Sequence, residues 1–406
     1  MEEIFAEITL LVYLVFRVFS VYFFIIASCA IFRPRRVPKA TSLHRFAVII
    51  AARNEQSVIG TLIKSLKMQN YPEEMFEIYV AVNNCTDNTA DAARTAGAKV
   101  IMCDNTTSCK GEAIRYALFS ITAVSHYDVY CVFDADNTAH LDFLTRMNDA
   151  FCAGAKVAKG RTEAGNPHES WVAGCYGIYF SMFNTFFNRA RAVCGLSAKL
   201  IGTGFAFHHD LLEKLSGWNT SAMAEDADFA AECAIMGERI YWVPDAIAYD
   251  EEPNSFKVSL IQRRRWCSGI MQVAKAKLPK LIRAAYGKKW YLGFDSAVFF
   301  TVPFIHVFSI SYLLLSVVLA IIIDITLLYT IAISLALMAP IAYIATVIIA
   351  LLTTLINRTF SSGIIRSILA YPLFVLSFML LMVIAFFRKQ TLWKEIKHTG
   401  LAILKE

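Results

Sequence analysis

Charge is scarce in this chain. Charged residues fill 18% of the 406 positions and hydrophobic ones 57%, a balance that a soluble domain of this length does not show. None of the ten cysteines form a Cys-x-x-Cys pair and no histidine spacing suits zinc, which excludes a dithiol redox centre and a zinc finger. A cytoplasmic domain keeps such scattered cysteines reduced, as small buried side chains. No Gly-x-Gly-x-x-Gly follows the first apolar strand and there is no Walker lysine loop, so a dinucleotide dehydrogenase and an ATPase are disfavoured. The net charge of +6 is not gathered on a basic face interleaved with aromatics, so no nucleic-acid partner is expected.

Apolar sequence is abundant, and it comes in blocks. Mean hydropathy is +0.49. One run covers 8–32 with Arg17 as its single charge, and nearly uninterrupted apolar sequence fills 290–387. The first run has the length of a spanning helix. It is too long for a signal peptide and no small-residue cleavage site follows. Glu2, Glu3 and Glu7 precede it, and Arg33, Arg35, Arg36 and Lys39 follow. The positive-inside rule then puts the N-terminus outside and the next domain in the cytoplasm.

The blocks 294–323, 325–356 and 364–387 suggest three helices. Arg388, Lys389, Lys394 and Lys397 after them favour an even number of crossings and a cytoplasmic C-terminus. Asp295, Pro303 and His306 lie inside the first block, where polar groups face either a pore or a packed protein core. The expected division is an N-terminal membrane helix and basic flank (1–40), a cytoplasmic domain (41–254), interfacial helices (255–290), membrane helices (291–387) and a cytoplasmic tail (388–406).

Within the cytoplasmic domain, 46–52, 76–82, 99–102 and 129–133 read as buried strands alternating with helical patterns. That alternation predicts a doubly wound sheet with parallel strands. Arg53, Asn54 and Glu55 close the first strand, 83–89 closes the second, and Asp134 and Asp136 close the fourth. Ligands bind outside the carboxyl ends of such strands. Two carboxylates one residue apart suit Mg2+ or Mn2+ holding substrate phosphates, although an acidic turn would look the same.

Further on, 170–193 reads as one long aromatic helix, and Gly202-Thr203-Gly204 as a turn that lets a ligand approach the backbone. Glu225-Asp226 opens a helix, where carboxylates can also simply complement the dipole. The segment 256–271 is a basic amphipathic helix around Gln262-Arg263-Arg264-Arg265-Trp266. It reads either as a lipid-surface helix or as one whose Arg263 and Arg265 hold a diphosphate, with Trp266 stacking on a sugar. Residues 275–289, broken by Pro279, look like a second interfacial helix.

The order Asp134-x-Asp136, Gly202-Thr203-Gly204, Glu225-Asp226, Gln262-Arg263-x-Arg265-Trp266 resembles the membrane-embedded processive family 2 glycosyltransferases, the group of cellulose, chitin and hyaluronan synthases and bacterial exopolysaccharide relatives. The strand end Tyr249-Asp250-Glu251 with Pro253 is similar to the exopolysaccharide branch. The resemblance implies a GT-A α/β fold, a mixed sheet, flanked by one N-terminal and several C-terminal membrane helices with interfacial amphipathic helices. It implies Asp226 as general base with Glu225 beside it. Asp136 and Asp134 would hold Mg2+ or Mn2+. The nucleotide sugar would lie against Ala52, Arg53, Glu55, Asn83, Lys110, Ala135, Gln262, Arg263 and Arg265, and the acceptor against Gly202, Thr203, Gly204 and Trp266. Two departures stand out: Ala224 replaces the threonine of Thr-Glu-Asp, which spares the base, and Asn83 stands where an aspartate usually reads uracil.

The activity so implied is inverting, processive β-glycosyl transfer in the cell membrane. UDP-glucose would be polymerised to a β-glucan with linkages mixed or not, and the polar polymer would exit through a channel formed by the helices after Trp290. The partners are then the UDP-sugar donor, the growing polysaccharide, the bilayer and any accessory membrane subunits. An N-acetylglucosamine polymer synthase and a non-processive transferase with a lipid acceptor are the alternatives. A transporter with a degenerate domain has no need of all three acids.

Overall fold

The computed structural model describes residues 2–220, 222–323, 325–390 and 400–401. Its sheet grows from β1 (Phe46–Ala52), whose seven side chains are all buried, as in a strand covered on both faces. Val48 and Ile50 point into a core with Leu62, Phe143 and Met147. Ala47 and Ile49 point the other way, toward Ile114, Leu118 and Phe205. β1 lies parallel between β2 (Phe76–Val82) and β4 (Val129–Asp134), and β3 (Lys99–Met102) extends the edge beside β2. The crossovers are α2 (Ile59–Lys67), α3 (Thr89–Thr95) and α4 (Lys110–Thr122).

The parallel order stops at β4. Next come the short β5 (Thr138–Ala139), α5 (Phe143–Cys152), β6 (Val157–Ala164) and α6 (Trp171–Met182). A π-helical turn, Phe183–Arg189, continues α6 into α7 (Ala190–Val193), completing the long helix expected at 170–193. After β7 (Phe205–His208), α8 (His209–Lys214) and α9 (Glu225–Ile235), the domain closes with β8 (Ile240–Asp250). The sheet order is β3-β2-β1-β4-β7-β6-β8-β5, with β7 antiparallel to both neighbours. The fold is therefore the mixed GT-A-like sheet, and the all-parallel pattern holds only for its first half.

α10 (Phe256–Ala284) passes through Pro279 without ending, unlike the break expected there. One lost backbone hydrogen bond is outweighed by burial on both sides of the proline, with Ala274 and Leu281 packed on Ala297 and Phe300.

Among the described residues, four helices are long and apolar enough to cross a membrane: α1 (Glu2–Ser28), α11 (Trp290–Ile323), α12 (Ile325–Ile356) and α13 (Ile365–Phe387). α13 lies lengthwise on the catalytic side. Its Ser367 carbonyl accepts from Cys175 Sγ at 3.4 Å, and its Phe386 carbonyl accepts from Lys275 Nζ at 2.9 Å. Just past it, the Gln390 amide donates to Ser268 Oγ at 2.9 Å. The Gly400 amide donates to Glu251 at 2.8 Å. The rest of the tail expected at 388–406 lies outside the described residues.

α11 is fixed to the domain by a buried ion pair. Arg191 on α7 donates through Nε and Nη2 to the two oxygens of Asp295, each at 3.0 Å, and Tyr22 of α1 donates to the same carboxylate at 2.6 Å. Asp295 therefore belongs to a packed core. Removing one partner of such a pair leaves a buried charge and costs about 3–5 kcal/mol. Arg191→Met should lower the unfolding temperature of the detergent-purified chain, and adding Asp295→Asn should restore part of the loss. An unchanged melt for the single variant would refute this assignment.

Candidate active site

One cavity opens at the carboxyl edge of β1 and β4. Arg53 and Glu55 line it at one end, Asp134, Ala135 and Asp136 along the strand edge, and Gly202, Glu225 and Asp226 opposite. Gln262, Arg265 and Trp266 form a further wall. Most of the residues that the motifs singled out thus share one space, although Asp136 and Asp226 are 90 positions apart in the numbering.

Lys110 binds the parts together. At the start of α4, its Nζ lies 2.6 Å from Asp134 and 2.8 Å from Glu225, and donates to the Gly202 carbonyl at 2.6 Å. Burial alone would strip its proton, but the two carboxylates outweigh burial and hold the ammonium charged above the ordinary lysine range. Glu225 is itself pushed up, first by burial and then by Asp226 and Asp134, with Lys110 opposing. Glu225 is consumed in this lock, and Asp226 is the carboxylate left facing the cavity.

The glycine turn aims Asp226. Gly202 has φ +50° and Gly204 φ +60°, a left-handed conformation that glycine adopts without strain. The Gly202 amide donates to Asp226 at 2.6 Å. A β-carbon on Gly202 would sit 3.1 Å from Asp134 Oδ2, so the turn also passes close to the paired acids. Thr203 and Gly204 are not on the cavity wall as expected; they lie behind it. Thr203 is buried and accepts from the Asp134 amide at 3.1 Å, which fixes the acidic loop.

The paired acids have a third partner that the motifs did not mark as a site residue. Asp250, at the end of β8, lines the cavity and accepts from Asn137 at 2.7 Å. Burial, Asp136 and Asp134 together raise its pKa well above the carboxylate range. Carboxylates so crowded repel one another, and a divalent cation recruited to Asp134 and Asp136, with Asp250 moving in as third donor, would relieve the repulsion; among the described residues no three acids already stand in metal-binding geometry, and the hard oxygen donors suit Mg2+ or Mn2+. Lys159 lies fully buried behind this cluster, bonded to Thr162 Oγ1 at 2.7 Å, with burial depressing its pKa to about 7 against the pull of Asp250 and Asp226.

α10 meets the site through small residues. A β-carbon on Gly269 would fall 2.6 Å from that of Ala224, so the helix seats directly on the start of α9. Gln262 accepts from Tyr176 at 2.7 Å, and Trp266 meets the same ring edge-on at 5.8 Å. Arg263 corrects the sequence reading. It faces away from the cavity and is wholly buried, donating to the Phe374 carbonyl at 2.8 Å and Ser377 Oγ at 2.6 Å, with its guanidinium 4.0 Å over Phe374. Helical spacing explains this, since residues two apart point to different faces. Only Arg265 of the pair reaches the cavity.

Ala52 and Asn83 also lie off the cavity wall. The Asn83 amide donates to the Ala52 carbonyl at 2.9 Å, and its side-chain oxygen and nitrogen are buried with no hydrogen-bond partner among the described residues. Tyr179 and Lys199, which no motif marked, line the cavity instead.

The sequence profile described as "Glycosyltransferase like family 2" matches residues 44–269. The chain is 31% identical over 288 residues to the probable glycosyltransferase YdaM of Bacillus subtilis, covering 68% of this chain and 67% of that protein. It is 25% identical over 228 residues to a beta-monoglucosyldiacylglycerol synthase of Synechocystis, covering 55% of this chain and 47% of that synthase, about half its length. The fold is that of the mannosyltransferase PcManGT from Pyrobaculum calidifontis, solved with GDP-Man and Mn2+, at a TM-score of 0.60 and 19% identity over 92% of this chain and 95% of that one.

Two outcomes follow from the geometry. Asp226→Asn should retain nucleotide-sugar binding and lose turnover by about 100- to 10,000-fold; wild-type-like product formation would dismiss the base. Mn2+ affinity, read from the EPR signal of the free ion, should fall about 10-fold or more in Asp136→Asn and Asp250→Asn. An unaltered titration in Asp250→Asn would remove it from the donor set.

Proposed function

The chain belongs to family 2 of the glycosyltransferases, and on that footing we propose that it moves one sugar from a UDP-sugar, glucose first, to a lipid acceptor at the membrane surface with inversion at the anomeric carbon. The observation that carries this reading is the single cavity in which Asp226 faces Asp134 and Asp136 while α6 and α10, both packed on α13, supply the remaining wall. The similarity to lipid glucosyl synthases supports a single transfer over polymer extension.

In the proposed reaction the acceptor oxygen bonds to the anomeric carbon as the bond from that carbon to the diphosphate breaks. The hydroxyl proton goes to the Asp226 carboxylate, which the Gly202 amide holds in place. Arg265 and Arg53, both on the cavity wall, supply positive charge to the departing diphosphate. A divalent ion held by Asp134, Asp136 and Asp250 would add Lewis-acid neutralisation of the same group.

The basic cluster after α1 supports a cytoplasmic catalytic domain by the positive-inside rule. The bond from Gly400 to Glu251 supports a reading in which the chain after α13 stays on the side of the catalytic domain, with α1, α11 and α12 crossing and α13 at the interface. A polymer synthase is the second reading, favoured by Gln262, Arg265 and Trp266 on one cavity wall. Purified chain with radiolabelled UDP-sugars in vesicles of total polar lipid and diacylglycerol separates the two. Label from UDP-glucose should enter the chloroform phase. Alcohol-precipitable, hydrolase-sensitive polymer would favour the second reading, and nucleotide release from no sugar would overturn both.

A further inference from the structure

Lys199 and Tyr179 line the cavity and carry no hydrogen bond or ion pair at their polar ends among the described residues. The backbone around Lys199 is pinned: its amide donates to Asn188 Oδ1 at 2.9 Å and that of Ala198 to the Ile240 carbonyl at 2.9 Å. The ammonium rests instead on aromatic faces, 4.8 Å from the ring centre of Phe183 and 4.2 Å from that of Phe299 on α11. Tyr179 stacks on Phe378 of α13 at 5.6 Å and meets Phe183 at 5.1 Å. A cation and a hydroxyl therefore share one aromatic seat where the catalytic domain meets α11 and α13.

Lys199 is half-buried with no ion pair among the described residues, and desolvation depresses its pKa to about 8, with Asp226 the strongest group opposing the loss and Arg191 adding to it. A neutral acceptor gives no reason for this arrangement. An acceptor that bears an anion does, since Asp134, Asp136, Asp226 and Asp250 would otherwise repel it from the cavity.

We propose that Lys199 and Tyr179 form an acceptor subsite for a phosphate group, so that the acceptor is a phosphate-bearing molecule whose attacking hydroxyl lies next to that phosphate. The inference rests on the transfer reading above and deepens it by giving the acceptor a charge. The step balances as before: oxygen to anomeric carbon forms, carbon to diphosphate oxygen breaks, the proton goes to Asp226 and the nucleoside diphosphate leaves, while the phosphate on Lys199 is unchanged. Its position against α11 and α13 makes a phospholipid headgroup the source we adopt.

The test uses the full chain in phosphatidylcholine vesicles, with phosphatidylglycerol, diacylglycerol or soluble sn-glycerol 3-phosphate as acceptor. Phosphatidylglycerol should be the preferred acceptor. Lys199→Met should raise its KM by about 10-fold or more while the donor KM moves within about twofold, and Lys199→Arg should recover most of the loss. Tyr179→Phe should shift the acceptor KM in the same direction, and carries the test where Lys199→Met does not fold. Diacylglycerol used as well as phosphatidylglycerol, or a Lys199→Met defect equal on both, would overturn the subsite and leave lipid transfer standing. Preference for glycerol phosphate would keep the phosphate subsite and overturn the lipid source. Label in no acceptor at all would overturn the transfer reading, and this inference with it.

Discussion

Six carboxylates line the cavity at the carboxyl edge of this sheet, and the ammonium of Lys110 pairs directly with two of them. It reaches Asp134 on β4, Glu225 on α9 and the Gly202 carbonyl at once, three parts of the chain that have no reason to approach one another otherwise. Hydrogen bonds to charged groups contribute roughly 1.5–3 kcal/mol each, against a desolvation cost of several kcal/mol per buried ion. Such a cluster adds little net stability, but it has one low-energy arrangement. In that arrangement Glu225 is held by Lys110, while Asp226 lines the cavity and takes its aim from the Gly202 amide.

The sheet explains why these parts meet. Reversal of direction at β7 brings the 202–204 turn back over the end of β4, so the loops after β4 and before β7 lie on the same edge. An all-parallel sheet would have carried that turn to the opposite edge. The small contact between Gly269 and Ala224 then lets α10 close the cavity. The alanine that departs from the family's threonine is thus a point of helix contact, while the base two residues on is unaffected.

How much of this was legible depended on whether a residue's role is local. β1, β2 and β3 follow from apolar runs between turn residues, and their bounds in the fold coincide with those runs. Asp134, Asp136, Lys110 and Asp226 were legible because each sits at an element end, where the chain must present its side chain to the edge. Arg263 was misplaced because a motif string does not say which helical face a partner will cover; α13, more than 100 residues later, covers that face. Asp250 was marked only as part of a strand end of family-like sequence, without a role, and Lys159, Tyr179 and Lys199 left no usable signal. A lysine in a loop and a tyrosine in an aromatic helix are ordinary, and only the convergence of distant elements gives them their surroundings.

That convergence also bears on what the membrane helices can do. Arg263 ties α13 to α10 through the Phe374 carbonyl and Ser377 while stacking on Phe374, and Lys275 repeats the contact three turns later at Phe386. A helix fastened at both ends to the catalytic domain moves with that domain, and its aromatic side chains form the floor under Tyr176, Tyr179 and Trp266. A polymer channel needs polar or aromatic surface running onward through the bilayer, whereas an apolar helix lying beside the cavity mouth offers acyl chains a surface and lets a headgroup reach in. Hydrophobic contact is non-directional and suits chains of varying length, while the polar groups that select the acceptor can be few and fixed. On the proposed reading those few would be Asp226, Tyr179 and Lys199, which line the cavity where the catalytic domain meets α11 and α13.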